Sequence, residues 1–116
     1  MATFNGEKFI EAQINSLLNQ SFKNWQLYIR DDLSADNTCN ILQKYSDGHF
    51  NIHIVRDQKI NVGSTQNFSK LIQAVKHLDG YVMFCDQDDY WLKDKIEVSL
   101  DEMIEVEKKF SSAMDR

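Results

Sequence analysis

The stretch 81-YVMFCDQDDYW-91 places five apolar residues directly before three aspartates, Asp86, Asp88 and Asp89. A short, continuous apolar run is typical of a β-strand that is covered on both faces. We therefore predict that YVMFC is the third and most buried strand of a sheet, and that it fixes where Asp86 and Asp88 emerge. The residues from Asp89 onward would begin and anchor the helix that follows.

The period of the apolar residues changes repeatedly along the chain. Spacings of three and four predict amphipathic helices, and short β-rich runs predict strands. Helices are predicted over residues 7–19, from Asp36 to Tyr45, around Phe68, Leu71, Ile72 and Val75, and from Leu92 to Lys109; strands are predicted at 25–32, 51–55 and 81–85. Asn5 is placed to cap the first helix and Asp36 to start the second, because their side-chain oxygens can accept hydrogen bonds from free backbone N–H groups.

Strands and helices that alternate in this way favour an α/β fold. We expect a doubly wound, mostly parallel sheet with helices on both faces. In such sheets ligands bind beyond the carboxyl ends of the strands. Asp31 and Asp32 follow one predicted strand, and Asp86 to Asp89 follow another. The sequence therefore predicts a site at that edge of the sheet.

Composition limits the partners of this chain. At 116 residues, with 42% apolar residues, it is one small domain or part of a larger one. A net charge of -5 argues against nucleic acid, whose phosphates call for basic patches, and implies that an anionic ligand would need a metal ion. No run approaches the roughly 20 apolar residues of a membrane span, and the N-terminus lacks the layout of a signal peptide. We therefore expect a cytosolic protein.

Cysteine and histidine follow no metal-ligand spacing in this chain. Cys39 and Cys85 form neither a C-x-x-C pair nor a disulfide framework, so each is interpreted as an ordinary buried thiol. The three histidines, His49, His53 and His77, are interpreted as structural. Zinc is therefore not expected.

Crowded carboxylates repel one another unless a positive ion lies between them. Mg²⁺ or Mn²⁺ is the obvious candidate, since these hard cations combine one or two carboxylates with a substrate's phosphates. The alternative is a solvated acidic loop in which Asp88 or Asp89 caps the last helix. An EF-hand calcium loop does not fit, because Trp91 stands where that loop needs glycine. A phospho-acceptor receiver domain is closer, but it would require further strands and a lysine after its acceptor aspartate.

Four segments, in this order and spacing, carry a resemblance to a known family. They are MATFNGEKFI, DDLSADNT, NVGSTQNF and DQDDYWLKDKIE. Over residues 1–98 they resemble the family 2 glycosyltransferases of the GT-A fold, which is a Rossmann-like, mostly parallel sheet. The D-Q-D-D-x-W form and the pair Asn67-Phe68 are similar to the branch that contains bacterial rhamnosyltransferases of surface polysaccharide assembly. Residues 1–116 are accordingly interpreted as a partial GT-A domain, the N-terminal portion that binds the nucleotide sugar.

The resemblance implies transfer of a sugar from a UDP-linked or dTDP-linked donor to a saccharide or lipid-linked acceptor. By motif position it implies donor-binding roles for Ala2, Thr3, Asn5, Asp31, Asp32, Asn61, Gly63, Asn67 and Asp86. Within that set, Asp32 would accept a hydrogen bond from the base, with Asp31 supporting it. Asp88 would be the principal ligand of Mn²⁺ or Mg²⁺, with Asp86 beside it near the ribose or sugar. The cation would neutralise the leaving nucleotide diphosphate.

Two departures from the family pattern bear on these roles. Leu33 replaces the glycine of D-D-G-S, so a turn that needs a positive φ would have to differ here. Gln66 stands where many relatives carry an arginine near the base. Other roles stay open, since residues 61–63 could form a plain turn and Lys95 could either pair with the acidic cluster or be solvated. Trp91 is interpreted as packing beneath the metal loop.

Family members begin with an apolar strand that runs into A-T-F-N, and here that strand is almost entirely absent. In a doubly wound sheet it lies centrally, so we expect a chain that is truncated at both ends and is marginally stable or exchanges a strand with a second copy. The catalytic base is expected beyond Arg116, and none is assigned within this chain. Two functions stay open. One is an inverting, metal-dependent glycosyltransferase, associated in full-length form with the inner face of the membrane; the other is a non-catalytic module that binds a nucleotide or phosphate with a cation.

Overall fold

Strands and helices alternate along the chain, as the period of its apolar residues predicts. A computed structural model describes residues 1–114, and its elements are β1 Ala2–Thr3, α1 Ile10–Leu18, β2 Leu27–Asp31, α2 Thr38–Gly48, β3 Ile52–Ile54, α3 Ser64–Val75 and α4 Lys95–Met114. The three strands form a parallel sheet in the order β1-β2-β3. The predicted α/β class and the parallel sheet are confirmed.

Helices cover both faces of the sheet. Ile29 and Arg30 are adjacent in β2 and therefore point to opposite faces. On the Ile29 side, the main apolar core joins β2 to α1 and α2. On the Arg30 side, the guanidinium Nη1 donates to Asn67 Oδ1 of α3 at 2.9 Å. The predicted placement of helices on either face is therefore confirmed.

The main core draws on the apolar stripe of each helix that faces it. Its buried members include Ile10, Ile14 and Leu17 of α1, Leu27 and Ile29 of β2, Leu42 of α2 and Ile52 of β3, together with Cys85, Trp91 and Ile96. Burial of one large apolar side chain contributes about 1.5–3 kcal/mol. Trp91 is 7% exposed and is therefore structural, as interpreted. Lys95 is exposed at the start of α4, as one of its two open roles had it, and its Nζ lies 5.3 Å from the centroid of the Trp91 ring, a cation–π contact.

The prediction that YVMFC is the most buried strand is wrong. Residues 81–84 belong to no strand of the described chain, and all four side chains are exposed. Among the described residues, only Ala2 pairs with this segment, through one parallel bridge to Asp86. Upstream of that bridge, the described chain offers no neighbouring strand with which the backbone could pair. Cys85 alone of the run is buried, and Gln13 Nε2 donates to its sulfur at 2.8 Å.

One predicted helix cap is wrong and one predicted helix start is confirmed. Asn5 does not cap the first helix, since α1 begins at Ile10 and Asn5 Oδ1 accepts instead from Ala35 N at 2.8 Å. Asp36 lies just before α2, where its carboxylate accepts from Thr38 N at 3.0 Å. It thereby satisfies a backbone donor that the helix itself leaves free.

Leu33 adopts a left-handed backbone conformation, with φ of 58°. The turn after β2 therefore has the positive φ that suits the glycine of the family pattern. The expectation that Leu33 would change the conformation of this turn is wrong. A Cβ atom in this region costs roughly 1–2 kcal/mol. The Leu33 side chain is 46% exposed, so burial offsets little of that cost.

Cys39 is exposed and Cys85 is buried, so the interpretation of both as buried thiols is wrong for Cys39. Cys39 stands in the first turn of α2 and faces the turn after β2, where its Sγ donates to Asp31 Oδ2 at 3.1 Å. Partial desolvation, followed by this hydrogen bond, raises the pKa of the Cys39 thiol to about 11. The group is therefore a protonated donor at neutral pH.

A buried glutamine joins α1 to the start of α4. Gln20 is fully buried; its Nε2 donates to Leu92 O at 2.7 Å and its Oε1 accepts from Ile96 N at 3.0 Å. One side chain thus satisfies a carbonyl before α4 and a free N–H in its first turn. Because α4 begins at Lys95, Leu92 lies outside the helix that it was predicted to begin, and it is exposed. Neither α4 nor any other described helix has the apolar length needed to cross a membrane.

We expect Gln20→Leu to lower the free energy of unfolding by about 1–3 kcal/mol, because it leaves the Ile96 N–H without a partner, whereas the Leu92 carbonyl still accepts from Lys95 N at 3.0 Å. Urea denaturation followed by circular dichroism measures the change. Gln73→Leu, at an exposed position of α3, is the matched control and should shift the unfolding free energy by less than about 0.5 kcal/mol. Equal effects of the two substitutions would contradict the role of Gln20.

We expect Leu33→Gly to raise the free energy of unfolding by about 0.5–1 kcal/mol, since relief of the left-handed strain exceeds the added entropy of the unfolded chain. The same denaturation experiment measures it. Ala35→Gly, in the same turn but without positive φ, should instead destabilise the chain by about 0.5–1 kcal/mol. A destabilised Leu33→Gly variant would show that the turn carries no such strain.

Candidate functional site

Three polar residues meet where the parallel strands end. β1 and β2 end side by side, with Thr3 opposite Asp31 in the register. Asp32 follows directly, and its backbone N–H donates to Thr3 O at 2.9 Å. All three residues are buried, with exposures of 1%, 4% and 1% for Thr3, Asp31 and Asp32. The carboxyl edge of the sheet is therefore a packed polar layer at this point.

Asp31 holds the turn that follows β2. Its carboxylate accepts from Thr3 Oγ1 at 2.6 Å and from the Ser34 backbone N–H at 2.8 Å. The Ser34 hydroxyl also donates to Asp31, at 2.6 Å, and the Cys39 thiol supplies a further donor. These bonds satisfy Asp31 within the protein, so it can support its neighbour Asp32 by fixing the surrounding backbone.

Asp32 ties residues 61–63 to the sheet. Its Oδ1 accepts from Val62 N at 2.9 Å, and its Oδ2 accepts from Gly63 N at 2.8 Å. Asn61 Nδ2 donates in turn to the Asp32 carbonyl oxygen at 2.9 Å. Gly63 has φ of 85°, a conformation that other residues rarely adopt. The 61–63 loop is therefore a specific partner of Asp32 and not a plain turn.

Helix α3 begins beside this loop. Gly63 precedes its first residue, and the Gly63 carbonyl accepts from Asn67 N at 2.8 Å. Asn67 is 2% exposed, and its Nδ2 donates to Thr3 O at 3.1 Å. The free N–H groups in the first turn of a helix attract anionic groups. The fold thus brings the amino end of α3 to the same edge as Thr3 and Asp32.

Arg30 is a buried cation that the sequence pattern does not single out. It is 1% exposed, and its Nη1 lies 3.7 Å from Asp32 Oδ1 and 2.9 Å from Asn67 Oδ1. Its Nε donates to Asp57 Oδ1 at 2.8 Å. The sequence did carry a signal for this role, since an arginine stands between the apolar run LYI and the aspartates. A cation inside a buried strand needs partners, so its position implied a polar network.

Gln87 fastens the DQDD segment to the ATFN segment. Its Oε1 accepts from Phe4 N at 2.9 Å, and its Nε2 donates to Phe4 O at 3.0 Å. Gly6 permits this close approach, because a Cβ atom there would overlap the Gln87 side-chain amide. Asn5 joins the same segment to the turn after β2 through its bond with Ala35 N. All four segments that carry the family resemblance therefore meet at one edge of the sheet.

Asp86 and Asp88 are exposed, unlike the buried pair Asp31 and Asp32. The backbone of Asp86 is held by its bridge to Ala2 and by Gln13 Nε2, which donates to the Asp86 carbonyl at 3.0 Å. The expected convergence of four or five carboxylates is wrong. Within residues 1–114, no three Asp, Glu, His or Cys side chains form a group that could hold a metal ion.

Two carboxylates nevertheless stay available for a cation on this loop. Mg²⁺ and Mn²⁺ accept a few carboxylate oxygens and complete their coordination with water and substrate phosphates. The exposed side chains of Asp86 and Asp88 fit that donor set. They do not fit a cage made entirely by the protein, so a cation here would depend on a phosphate-bearing ligand.

Comparison with known proteins points to a single family. The family model described as Glycosyl transferase family 2 matches residues 1–112. The dTDP-rhamnosyl transferase RfbG of Shigella flexneri is 40% identical over 104 residues, which make up 87% of this chain and 36% of that protein. The putative teichuronic acid biosynthesis glycosyltransferase TuaG of Bacillus subtilis (strain 168) is 37% identical over 109 residues, 94% of this chain and 42% of that protein. This chain therefore spans less than half the length of these relatives.

A solved structure shares the fold. The crystal structure of residues 1–349 of S. aureus TarS in complex with UDP matches with a TM-score of 0.76 and 28% identity. The match covers 90% of this chain and 30% of that 1–349 chain, and it confirms the predicted GT-A architecture. With the family model spanning nearly the whole chain and its four segments gathered at one edge of the sheet, this chain belongs to the family 2 glycosyltransferases.

Proposed function

We propose that this chain forms the donor-binding part of a glycosyltransferase that acts in bacterial surface polysaccharide synthesis. The donor is a nucleotide-diphosphate sugar that lies across the carboxyl ends of β1 and β2. The observation that carries this proposal is the contact of all four family segments at that edge. Asp32 joins the 61–63 loop to the sheet, and Gln87 joins the DQDD segment to Phe4.

The base of the nucleotide is assigned to the neighbourhood of Ala2, Thr3 and Asp32. Uracil and thymine each present a ring N–H that a carboxylate can accept. The Val62 and Gly63 amides each occupy one site on Asp32, and a carboxylate offers about four such sites. The UDP bound to TarS and the dTDP-rhamnosyl activity named for RfbG support a pyrimidine donor.

The diphosphate is assigned to the amino end of α3 and to a cation held by Asp88 and Asp86. A chain of net charge -5 needs such a cation to attract an anionic ligand. When bound, Mn²⁺ or Mg²⁺ would neutralise charge on the departing diphosphate. The bridge between Asp86 and Ala2 supports a position for the Asp86 side chain near the ribose or the donor sugar.

Sugar transfer also needs a base that deprotonates the acceptor hydroxyl. We assign no catalytic base to the residues of this chain. Glu97 accepts from the Ser21 hydroxyl at 2.7 Å, and Glu105 pairs with Lys108 at 3.9 Å, so both behave as ordinary surface groups of α4. Transfer with inversion would use a carboxylate that comes with the acceptor site. The proposed acceptor is a saccharide or lipid-linked saccharide at the cytoplasmic face of the membrane.

Asp88→Asn tests the assignment of the cation. Isothermal titration calorimetry with UDP and with dTDP, in the presence and absence of Mn²⁺, measures nucleotide affinity. We expect Mn²⁺ to tighten binding to the unaltered chain by about tenfold or more, and Asp88→Asn to remove most of that gain, because a carboxamide is a neutral and weaker ligand.

Asp101→Asn, at an exposed position of α4, changes the net charge equally and should keep the full Mn²⁺ gain. If Asp88→Asn also kept that gain, the metal assignment would be wrong while the donor assignment stood. If the unaltered chain bound neither nucleotide under any of these conditions, the donor assignment itself would be wrong.

A further inference from the structure

Arg30 makes more polar contacts than the packing of β2 requires. It is 1% exposed in a strand whose buried apolar side chains, Leu27 and Ile29, belong to the apolar core. Removal of a guanidinium from water is costly unless excellent partners compensate. A well-packed apolar side chain of similar volume is often as stabilising or more so. The fold alone therefore does not call for arginine at this position.

The partners of Arg30 come from three separate parts of the chain. They are Asp57 after β3, Asn67 in α3 and Asp32 at the end of β2. Two of them lead directly to the proposed donor site. Asp32 accepts the Val62 and Gly63 amides, and Asn67 donates to the Thr3 carbonyl. Arg30 is thus a common neighbour of the 61–63 loop and of the amino end of α3.

We propose that Arg30 is a positioning residue for the donor nucleotide. It fixes the orientation of the Asp32 carboxylate and the Asn67 side chain, and through them the place of the 61–63 loop against the end of β1. It acts through these side chains and does not itself touch the donor. The inference rests on the proposed function, because this orientation affects a ligand only if a nucleotide binds beside Asp32.

The geometry distinguishes arginine from lysine at this position. Nε bonds to Asp57 while Nη1 bonds to Asn67, and both nitrogens belong to one rigid, planar group. A lysine keeps the positive charge but offers a single nitrogen at the end of a flexible chain. Arg30→Lys therefore preserves the charge near Asp32 while it removes the fixed orientation.

Two measurements on the same chain test this inference, namely calorimetry with UDP and dTDP, and amide hydrogen exchange by NMR. For Arg30→Lys we expect the nucleotide Kd to rise about tenfold and exchange of the Val62 and Gly63 amides to quicken by a similar factor, as when a charge-assisted hydrogen bond is lost. A purely structural role would alter global stability without this local effect on the 61–63 loop.

Two controls separate a local effect from loss of the sheet. The Val55 amide donates to Ile29 O at 2.8 Å between β3 and β2, and its protection should persist in Arg30→Lys. Arg56→Lys is the matched substitution, since Arg56 is exposed and contacts Gln43 of α2. It should leave both the nucleotide Kd and the exchange of the loop amides unchanged.

Unchanged Kd and unchanged Val62 and Gly63 exchange in Arg30→Lys would overturn the inference and leave the proposed function standing. Failure of the unaltered chain to bind either nucleotide would overturn both. If the Arg30→Lys variant does not form the sheet, the Asp57→Asn variant tests the inference in its place. Asp57 is half-exposed, and its substitution loosens only the Nε end of the guanidinium. For that variant we expect loop-amide exchange to quicken about threefold, and no change there overturns the inference.

Discussion

The buried carboxylate of Asp32 is the group on which the arrangement of the site depends. It receives the amides of Val62 and Gly63, which lie 30 and 31 residues further along the chain, and it faces Arg30 at 3.7 Å. A carboxylate buried without such partners would cost several kcal/mol. The hydrogen bonds that Asp32 accepts therefore hold the 61–63 loop, and with it the start of α3, against the end of the sheet.

The two faces of β2 have different roles, one in stability and the other in the proposed binding site. Alternate side chains of one strand point to opposite faces, so Ile29 enters the apolar core while Arg30 enters a polar network. The apolar face is held by α1 and α2, and the polar face is held by α3. Substitutions on the first face should act mainly on global stability. Those on the second should also reach the proposed nucleotide site, because its partners are the residues that shape that site.

In the segment that follows residue 80, hydrogen bonds from glutamine side chains hold the backbone in place of strand pairing. Gln13 binds the carbonyl of Asp86, and Gln20 binds both sides of the turn into α4. Gln87 makes two hydrogen bonds to the backbone of Phe4. These directional bonds hold the DQDD loop in place although residues 81–84 join no strand of the described chain. The position of Asp86 and Asp88 therefore depends on amide contacts more than on a buried strand.

Local patterns in the sequence predicted local structure well. Apolar spacing predicted α1, α2 and α3, and aspartates after apolar runs predicted the edge where the four family segments meet. The prediction of a buried strand at residues 81–85 was wrong. Apolar content shows that a segment can be buried, but it does not show whether a neighbouring strand pairs with it. Arg30 and Gln20 were missed because the burial of a polar side chain depends on partners that are distant in sequence. Aspartates look alike in a sequence, whereas the fold buries Asp31 and Asp32 and leaves others exposed.

Where a nucleotide binds on this chain is most directly tested by titrating the ¹⁵N-labelled protein with UDP and Mg²⁺ and following the backbone amide resonances. A donor site organised by Asp32 predicts that the largest shifts occur at Val62 and Gly63, with further shifts at Thr3. Saturable shifts confined to other surfaces, such as the groove lined by Asn19, Gln20 and Trp91, would contradict it.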